Sequence, residues 1–155
     1  MTIEDDIAFF ERVPTLSLLG RAALRILAIG AESRFVHAGE VLFHAGDDAD
    51  SAYAIQEGSF SLQPQRAEGE AQEIVAGRCA LLDELAMITP TKRLATATAL
   101  EPTTVIRISR GLFLKMLEGY PDTARKLRDA MASRSDQWTR EMQNVRANLE
   151  TKNGK

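Results

Sequence analysis

Within Leu81 to Ala99, Leu-Leu-Asp-Glu-Leu-Ala-Met-Ile-Thr-Pro-Thr-Lys-Arg-Leu-Ala-Thr-Ala-Thr-Ala, an acid and a base stand on either side of a proline. Glu84 opens a short apolar helical turn (Leu85, Ala86, Met87, Ile88) that Pro90 ends, and Arg93 enters a strand in which Leu94, Thr96 and Thr98 alternate with alanines. A helical turn facing a strand arginine is an anion pocket in outline. Helix-start amides and the positive dipole end favour a phosphate, a guanidinium fork grips its oxygens in pairs, and a neighbouring carboxylate accepts from a sugar hydroxyl. The blander reading of the same two residues is a surface ion pair that ties the turn to the strand.

Other chemistry is thinly represented. His37 and His44 each precede Ala-Gly at a turn, with no carboxylate or third histidine at ligand spacing, so they read as turn histidines rather than a metal site. Cys79 is the single cysteine; it excludes an internal disulfide framework, and with no resolving partner it reads as inert rather than redox-active. No Ser/His/Asp arrangement, glycine-rich nucleotide loop or paired-acid spacing appears, so the chain is not expected to be an enzyme.

A chain of 155 residues with 45% hydrophobic and 26% charged residues is expected to form one soluble domain around a good core. No apolar run approaches membrane-spanning length, and Glu4, Asp5 and Asp6 make the start acidic where a signal peptide would be basic, which points to the cytoplasm and away from a membrane. Net charge is −3, with 11 Lys/Arg against 17 Asp/Glu in residues 1–120 and 8 against 5 in residues 121–155. A tail so mildly basic, with both signs interleaved, is a solvated helix face rather than a nucleic-acid arm.

Ile3, Ile7 and Phe10 fall at helical spacing, and Val13-Pro14 ends that helix. A second apolar helix follows over Leu18 to Ile29, carrying Leu19, Ala23, Ile26 and Leu27 and closed by Gly30. From Ser33 the period becomes alternating: Phe35, Val41, Phe43, Tyr53, Ile55, Phe60 and Leu62 mark strands separated by turns at Gly39, Gly46-Asp47 and Glu57-Gly58. Pro64 to Gln72 is polar enough for an exposed hairpin loop, and Thr104 to Ile108 is the last strand. Many short strands with glycine turns mean a closed β architecture. Ser109 then caps a helix carrying Leu112, Phe113, Met116 and Leu117, which Gly119-Tyr120-Pro121 interrupts. Leu127, Met131, Trp138, Met142, Val145 and Leu149 form one stripe with an eleven-residue repeat, the mark of a long final helix whose apolar seam calls for a partner helix or for its own barrel.

The run Glu84-Leu85-Ala86-Met87-Ile88 followed by Arg93-Leu94-Ala95-Thr96 resembles the phosphate-binding cassette of cyclic-nucleotide-binding domains, usually Phe-Gly-Glu-Leu-Ala-Leu, a short link, then Pro-Arg-Ala-Ala-Thr. Arg34 to Asp47 is similar to that family's opening hairpin and Ala52 to Gly58 to its next strand and turn, so the likeness covers roughly Phe10 to Tyr120. It implies a mainly β fold with flanking helices: a jelly roll of the cyclic-nucleotide-binding type with N-terminal helices over residues 1–120, and a long C-terminal helix over 121–155 that serves dimerisation. It implies a ligand set of Leu82, Asp83, Glu84, Leu85, Ala86, Arg93, Leu94 and Ala95, with Glu84 accepting from the ribose 2′-hydroxyl and Arg93 meeting the cyclic phosphate. Met131, Ser133 or Ser135 of the final helix would cover the base. No cofactor is implied beyond that ligand.

Three positions depart from the family pattern: Asp83 replaces its glycine, Lys92 its proline, and Leu94 the small residue after the arginine. Leu94 lacks the hydroxyl that would bond guanine, leaving cyclic AMP as the expected ligand and cyclic GMP as the lesser one. Asp83 tolerates left-handed backbone, and at an N-cap its carboxylate accepts from the amide of Leu85 or Ala86. It also faces an anionic ligand: two unit charges about 4 Å apart repel by about 4 kcal/mol at an effective dielectric of about 20.

Catabolite-activator-type regulators resemble the chain through barrel and long helix and continue into a helix-turn-helix, whereas this sequence stops at Lys155. The expectation is therefore a stand-alone cyclic-nucleotide sensor or adaptor that signals by ligand-dependent rearrangement of its C-terminal helix, as a homodimer, to an unknown downstream protein and without direct DNA binding. The alternative is a ligand-free relative acting as a dimeric interaction scaffold. As an exposed ligand contact, Arg93 should be replaceable by alanine with loss of binding and little loss of stability, since a surface pair contributes about 0–1 kcal/mol.

Overall fold

The alternating segments close into two four-stranded antiparallel sheets, seen in a computed structural model that describes residues 2–64 and 73–133. One sheet has the order β1 (Glu32–Val36), β10 (Thr103–Ser109), β4 (Ser51–Glu57), β7 (Leu81–Leu82). The other runs β2 (Val41–Phe43), β9 (Ala95–Ala99), β5 (Phe60–Pro64), β6 (Ile74–Ala76), and β3 (Asp48–Ala49) pairs separately with β8 (Thr91–Lys92). This is a β jelly roll with helices packed on its outside. Around it lie α1 (Ile3–Phe10), a 3₁₀ turn (Leu16–Leu18), α2 (Arg21–Gly30), α3 (Arg110–Glu118) and α4, helical over 121–133.

Period-two side chains on β4 and β10 divide the interior into two cores. Tyr53, Ile55 and Val105 point between the sheets, where Val36, Phe43, Phe60, Leu82, Ala97 and Ala99 join them. Their neighbours Ala52, Ala54, Ile106 and Ile108 point the other way, into a helical core with Ile7, Phe10, Leu24, Leu27, Phe113 and Met116. A strand covered on both faces loses the polar half of its alternation, which is why β4 is buried from Ser51 through Ile55. Alanines at 52 and 54 let the helices come close. Gly30 does the same between α2 and α3, since a Cβ there would lie 2.6 Å from a Leu112 methyl.

Helix boundaries follow local chemistry. Thr2 and Asp5 form a reciprocal capping box on α1, and the Ser109 hydroxyl accepts from the Leu112 amide at 3.2 Å, as its position before an apolar helix predicts. The second helix begins at Arg21 rather than Leu18, because Leu16–Leu18 makes a separate 3₁₀ turn with Leu16 buried and Leu18 exposed. Phe35 also differs from expectation: its neighbour Val36 fills the barrel, while Phe35 lies outside, 56% exposed, with its ring edge-on to His37.

Leu127 and Met131, the first two residues of the long apolar stripe, are buried in the helical core of the same chain. They pack within the chain rather than along a seam left for a partner, and Met131 is turned into that core. Trp138, Met142, Val145, Leu149, Ser135 and residues 65–72, expected as a hairpin loop, lie outside the described residues.

The hairpin from β4 to β5 turns at Gly58, where φ is 96° and a Cβ would meet the Thr103 hydroxyl and lie 2.8 Å from the Pro102 carbonyl oxygen. Gly58→Ala should lower stability by about 2 kcal/mol or more, read as a fall of at least about 5 °C in Tm.

Candidate functional site

β7 delivers the chain to the cassette by pairing Leu82 with Tyr53, and Asp83 then turns it in left-handed conformation (φ 61°, ψ 52°) into a 3₁₀ helix over Glu84–Met87. That conformation is the one glycine takes freely and Asp tolerates, so the loop keeps its course with a carboxylate added. The helix has four residues, and the Ala86 amide closes its turn on the Asp83 carbonyl at 3.0 Å. A single 3₁₀ turn carries only a small dipole, which weakens the helix-start part of the anion-pocket argument.

The Asp83 carboxylate does not cap this helix, contrary to the sequence expectation. It accepts instead from Arg93 Nη1 at 3.0 Å. Arg93 is 4% exposed and its guanidinium also donates to the Ser51 carbonyl at 2.7 Å and the Ser51 hydroxyl at 3.2 Å. It lies over the rings of Phe43 and Tyr53, at 4.5 and 5.3 Å from their centres, and 3.9 Å from the Asp50 carboxylate. Its Nε is buried and finds no acceptor among the described residues. Burial in an aromatic cage with a desolvated carboxylate makes this a strong pairing, unlike the exposed one expected from sequence.

The Arg93 backbone is held as firmly as its side chain. Its amide donates to the Asp47 carbonyl and its carbonyl accepts from the Gly46 amide, both at 2.8 Å, with Gly46 at φ 91°. Lys92 occupies β8 opposite Asp48 and its ammonium pairs with that carboxylate, so the lysine in place of proline is accommodated at the surface. Asp50 is held by Arg107 at 3.1 Å. Partial burial pushes its carboxyl up, but the Ser51 hydroxyl and the Arg107 charge outweigh that and hold it below the usual range.

The remaining sequence-derived residues divide by burial. Leu82 and Ala86 are buried, at 5% and 0% exposed, and serve packing. Leu85 and Leu94 face outward, at 52% and 78% exposed, and Ala95 is half-buried on β9. Glu84 accepts a hydrogen bond from the Thr15 hydroxyl of the N-terminal segment. Arg110 at the start of α3 donates to the Ala49 carbonyl at 3.2 Å and the Ala86 carbonyl at 3.3 Å, tying the cassette to β3.

Ser51, Asp50, Phe43, Tyr53 and Thr15 were not legible as site residues. Phe43 and Tyr53 showed only as alternating core positions, and Thr15 showed no signal at all. Among the described residues no group of three or more His, Cys, Asp or Glu is placed to hold a metal, and no helix is long and apolar enough to cross a membrane.

A family model described as the cyclic nucleotide-binding domain matches residues 33–120. A solved cyclic nucleotide-binding-like protein from Brucella abortus is 41% identical, with a TM-score of 0.65, over 74% of this chain and 98% of that one. The N-terminal domain of a transcriptional regulator from Streptomyces coelicolor is 27% identical with a TM-score of 0.76, over 86% of this chain and 94% of that one. Among curated proteins, an NTE family protein of Mycobacterium tuberculosis is 35% identical over 122 residues, which is 77% of this chain and 20% of that protein. A lysophospholipase NTE1 from Chaetomium globosum is 30% identical over 100 residues, 64% of this chain and 7% of the fungal one. The chain thus spans only a small part of the curated relatives it matches.

Burial reverses the sequence expectation for Arg93. Removing the guanidinium leaves the Asp83 carboxylate unpaired and a void against Phe43 and Tyr53, so Arg93→Ala should cost about 3 kcal/mol in denaturant unfolding. A cost below about 1 kcal/mol would mean that the guanidinium sits at the surface in solution.

Proposed function

The chain belongs to the cyclic nucleotide-binding domain family, and from that membership we propose that it is a non-catalytic regulatory module whose cassette, Leu82 to Ala86 with Arg93 to Ala95, takes up a cyclic nucleotide. Arg93 meets the cyclic phosphate and Glu84 accepts from the ribose. One observation carries the reading: a guanidinium is held beneath the cassette by the Ser51 carbonyl and hydroxyl and paired at 3.0 Å with the Asp83 carboxylate of the cassette turn. Asp83 is then an internal counter-ion that the phosphate must displace. This makes binding weaker than an open site would give, because the ligand gains only the difference between two ion pairs.

Cyclic AMP is the preferred ligand. Leu94 stands exposed beside the arginine and offers apolar surface without the hydroxyl that would select guanine. The module acts in the cytoplasm on a downstream protein, as a homodimer through the C-terminal helix, whose rearrangement carries the signal. Leu127 and Met131 belong to the chain's own core, so the dimer seam falls to Trp138, Met142, Val145 and Leu149. The partial span of the larger curated relatives supports a regulatory rather than a catalytic part.

A second reading is favoured by the same pair: with Asp83 satisfying Arg93 internally, the fold stands as a ligand-free dimeric scaffold. Titration separates the two. Cyclic AMP at a hundred times its dissociation constant should stabilise the folded protein by about 2.7 kcal/mol. No thermal shift at millimolar cyclic AMP or cyclic GMP would establish the scaffold.

Asp83→Gly should bind cyclic AMP at least about tenfold more tightly by calorimetry, a gain of about 1.4 kcal/mol, because glycine suits φ 61° and leaves Arg93 to the phosphate. Its ligand-free stability should fall, since the buried guanidinium loses its nearest carboxylate. Equal or weaker binding would mean that Asp83 does not compete with the ligand.

A further inference from the structure

Thr15 is β-branched, 2% exposed, and sits at φ 76° and ψ −54°, a conformation that L residues rarely adopt. It lies between Val13 and Leu16, both fully buried in the helical core, and its carbonyl accepts from the Leu18 amide at 3.2 Å. Such a backbone persists only where its surroundings over-determine it. What they determine here is the aim of one hydroxyl: Thr15 Oγ1 donates to Glu84 Oε2, from a residue 69 positions away in the chain. Glu84 directly follows the left-handed Asp83 that pairs with Arg93, so its carboxylate is approached by the N-terminal segment where the cassette begins.

We propose that Thr15 is a positioning residue for the sugar-binding carboxylate, fixing Glu84 so that it accepts a ribose hydroxyl. The inference rests on the cyclic-nucleotide reading and adds a part of the site that comes from outside the barrel. Holding Oε2 from the protein side restricts the rotation of the carboxylate. The ligand then meets an ordered acceptor.

The test is calorimetry with cyclic AMP and 2′-deoxy cyclic AMP on the wild type, Thr15→Val, Thr15→Ser and Thr15→Gly. Valine keeps the shape and loses the hydroxyl; serine keeps the hydroxyl; glycine lacks it but suits the positive φ, so it folds whatever valine does there. The valine and glycine variants should bind cyclic AMP about tenfold more weakly, as expected for a lost hydrogen bond to a charged group, and 2′-deoxy cyclic AMP as the wild type does. Serine should restore the difference. Equal losses for both nucleotides, or no loss for either, in a wild type that binds would overturn the positioning role alone. A wild type that binds neither nucleotide would overturn the cyclic-nucleotide reading and this role with it.

Discussion

The contact on which the site depends is the one between the Asp83 carboxylate and the Arg93 guanidinium, 3.0 Å apart with the arginine side chain 3% exposed. A buried guanidinium without a counter-charge is costly, and leaving one beneath an empty cassette would destabilise the fold. Glycine at position 83 would trace the same left-handed turn and provide no counter-charge. Aspartate provides one and follows the same turn. Aspartate there stabilises the ligand-free protein and, on the proposed reading, sets a threshold for an incoming anion.

The barrel makes this contact possible by bringing distant segments into one wall. Phe43 and Tyr53 come from different sheets and face each other across the inter-sheet core, where their rings receive Arg93. Ser51 at the start of β4 offers carbonyl and hydroxyl together, and the turn at Gly46 and Asp47 holds the arginine backbone. On the far side of β4 and β10, the helical core contributes Met87 packing and the Arg110 tether to the Ala86 carbonyl. Met87 belongs both to the cassette turn and to the helical core.

Much of this was legible in the chain. Alternation from Phe35 to Leu62 with glycines at short intervals announced the strands, Ser109 announced α3, and Glu84 with Arg93 marked the cassette. What escaped was long-range and chemical. Whether an arginine after a turn lies on the surface or beneath it depends on rings at positions 43 and 53, and local spacing carries no information about them. Asp83 read as a helix cap because Asp before an apolar turn is a cap by local preference; a buried cation within reach outweighed the amides. Thr15 was invisible because positive φ at a β-branched residue is imposed by tertiary contacts against local propensity. Leu127 and Met131 share constant spacing with Trp138 and Met142, and spacing carries no information that the chain's own core takes the first two.

The central claim is that Asp83 holds the place of a ligand phosphate on Arg93. It is tested most directly by following the Arg93 guanidinium nitrogen and Asp83 carboxyl carbon resonances by NMR while cyclic AMP is added. The account predicts that both signals move together and saturate with the same dissociation constant, as the carboxylate leaves and the phosphate arrives. Arg93 and Asp83 signals that stay in place while other cassette resonances shift, or no movement anywhere at millimolar nucleotide, would contradict it.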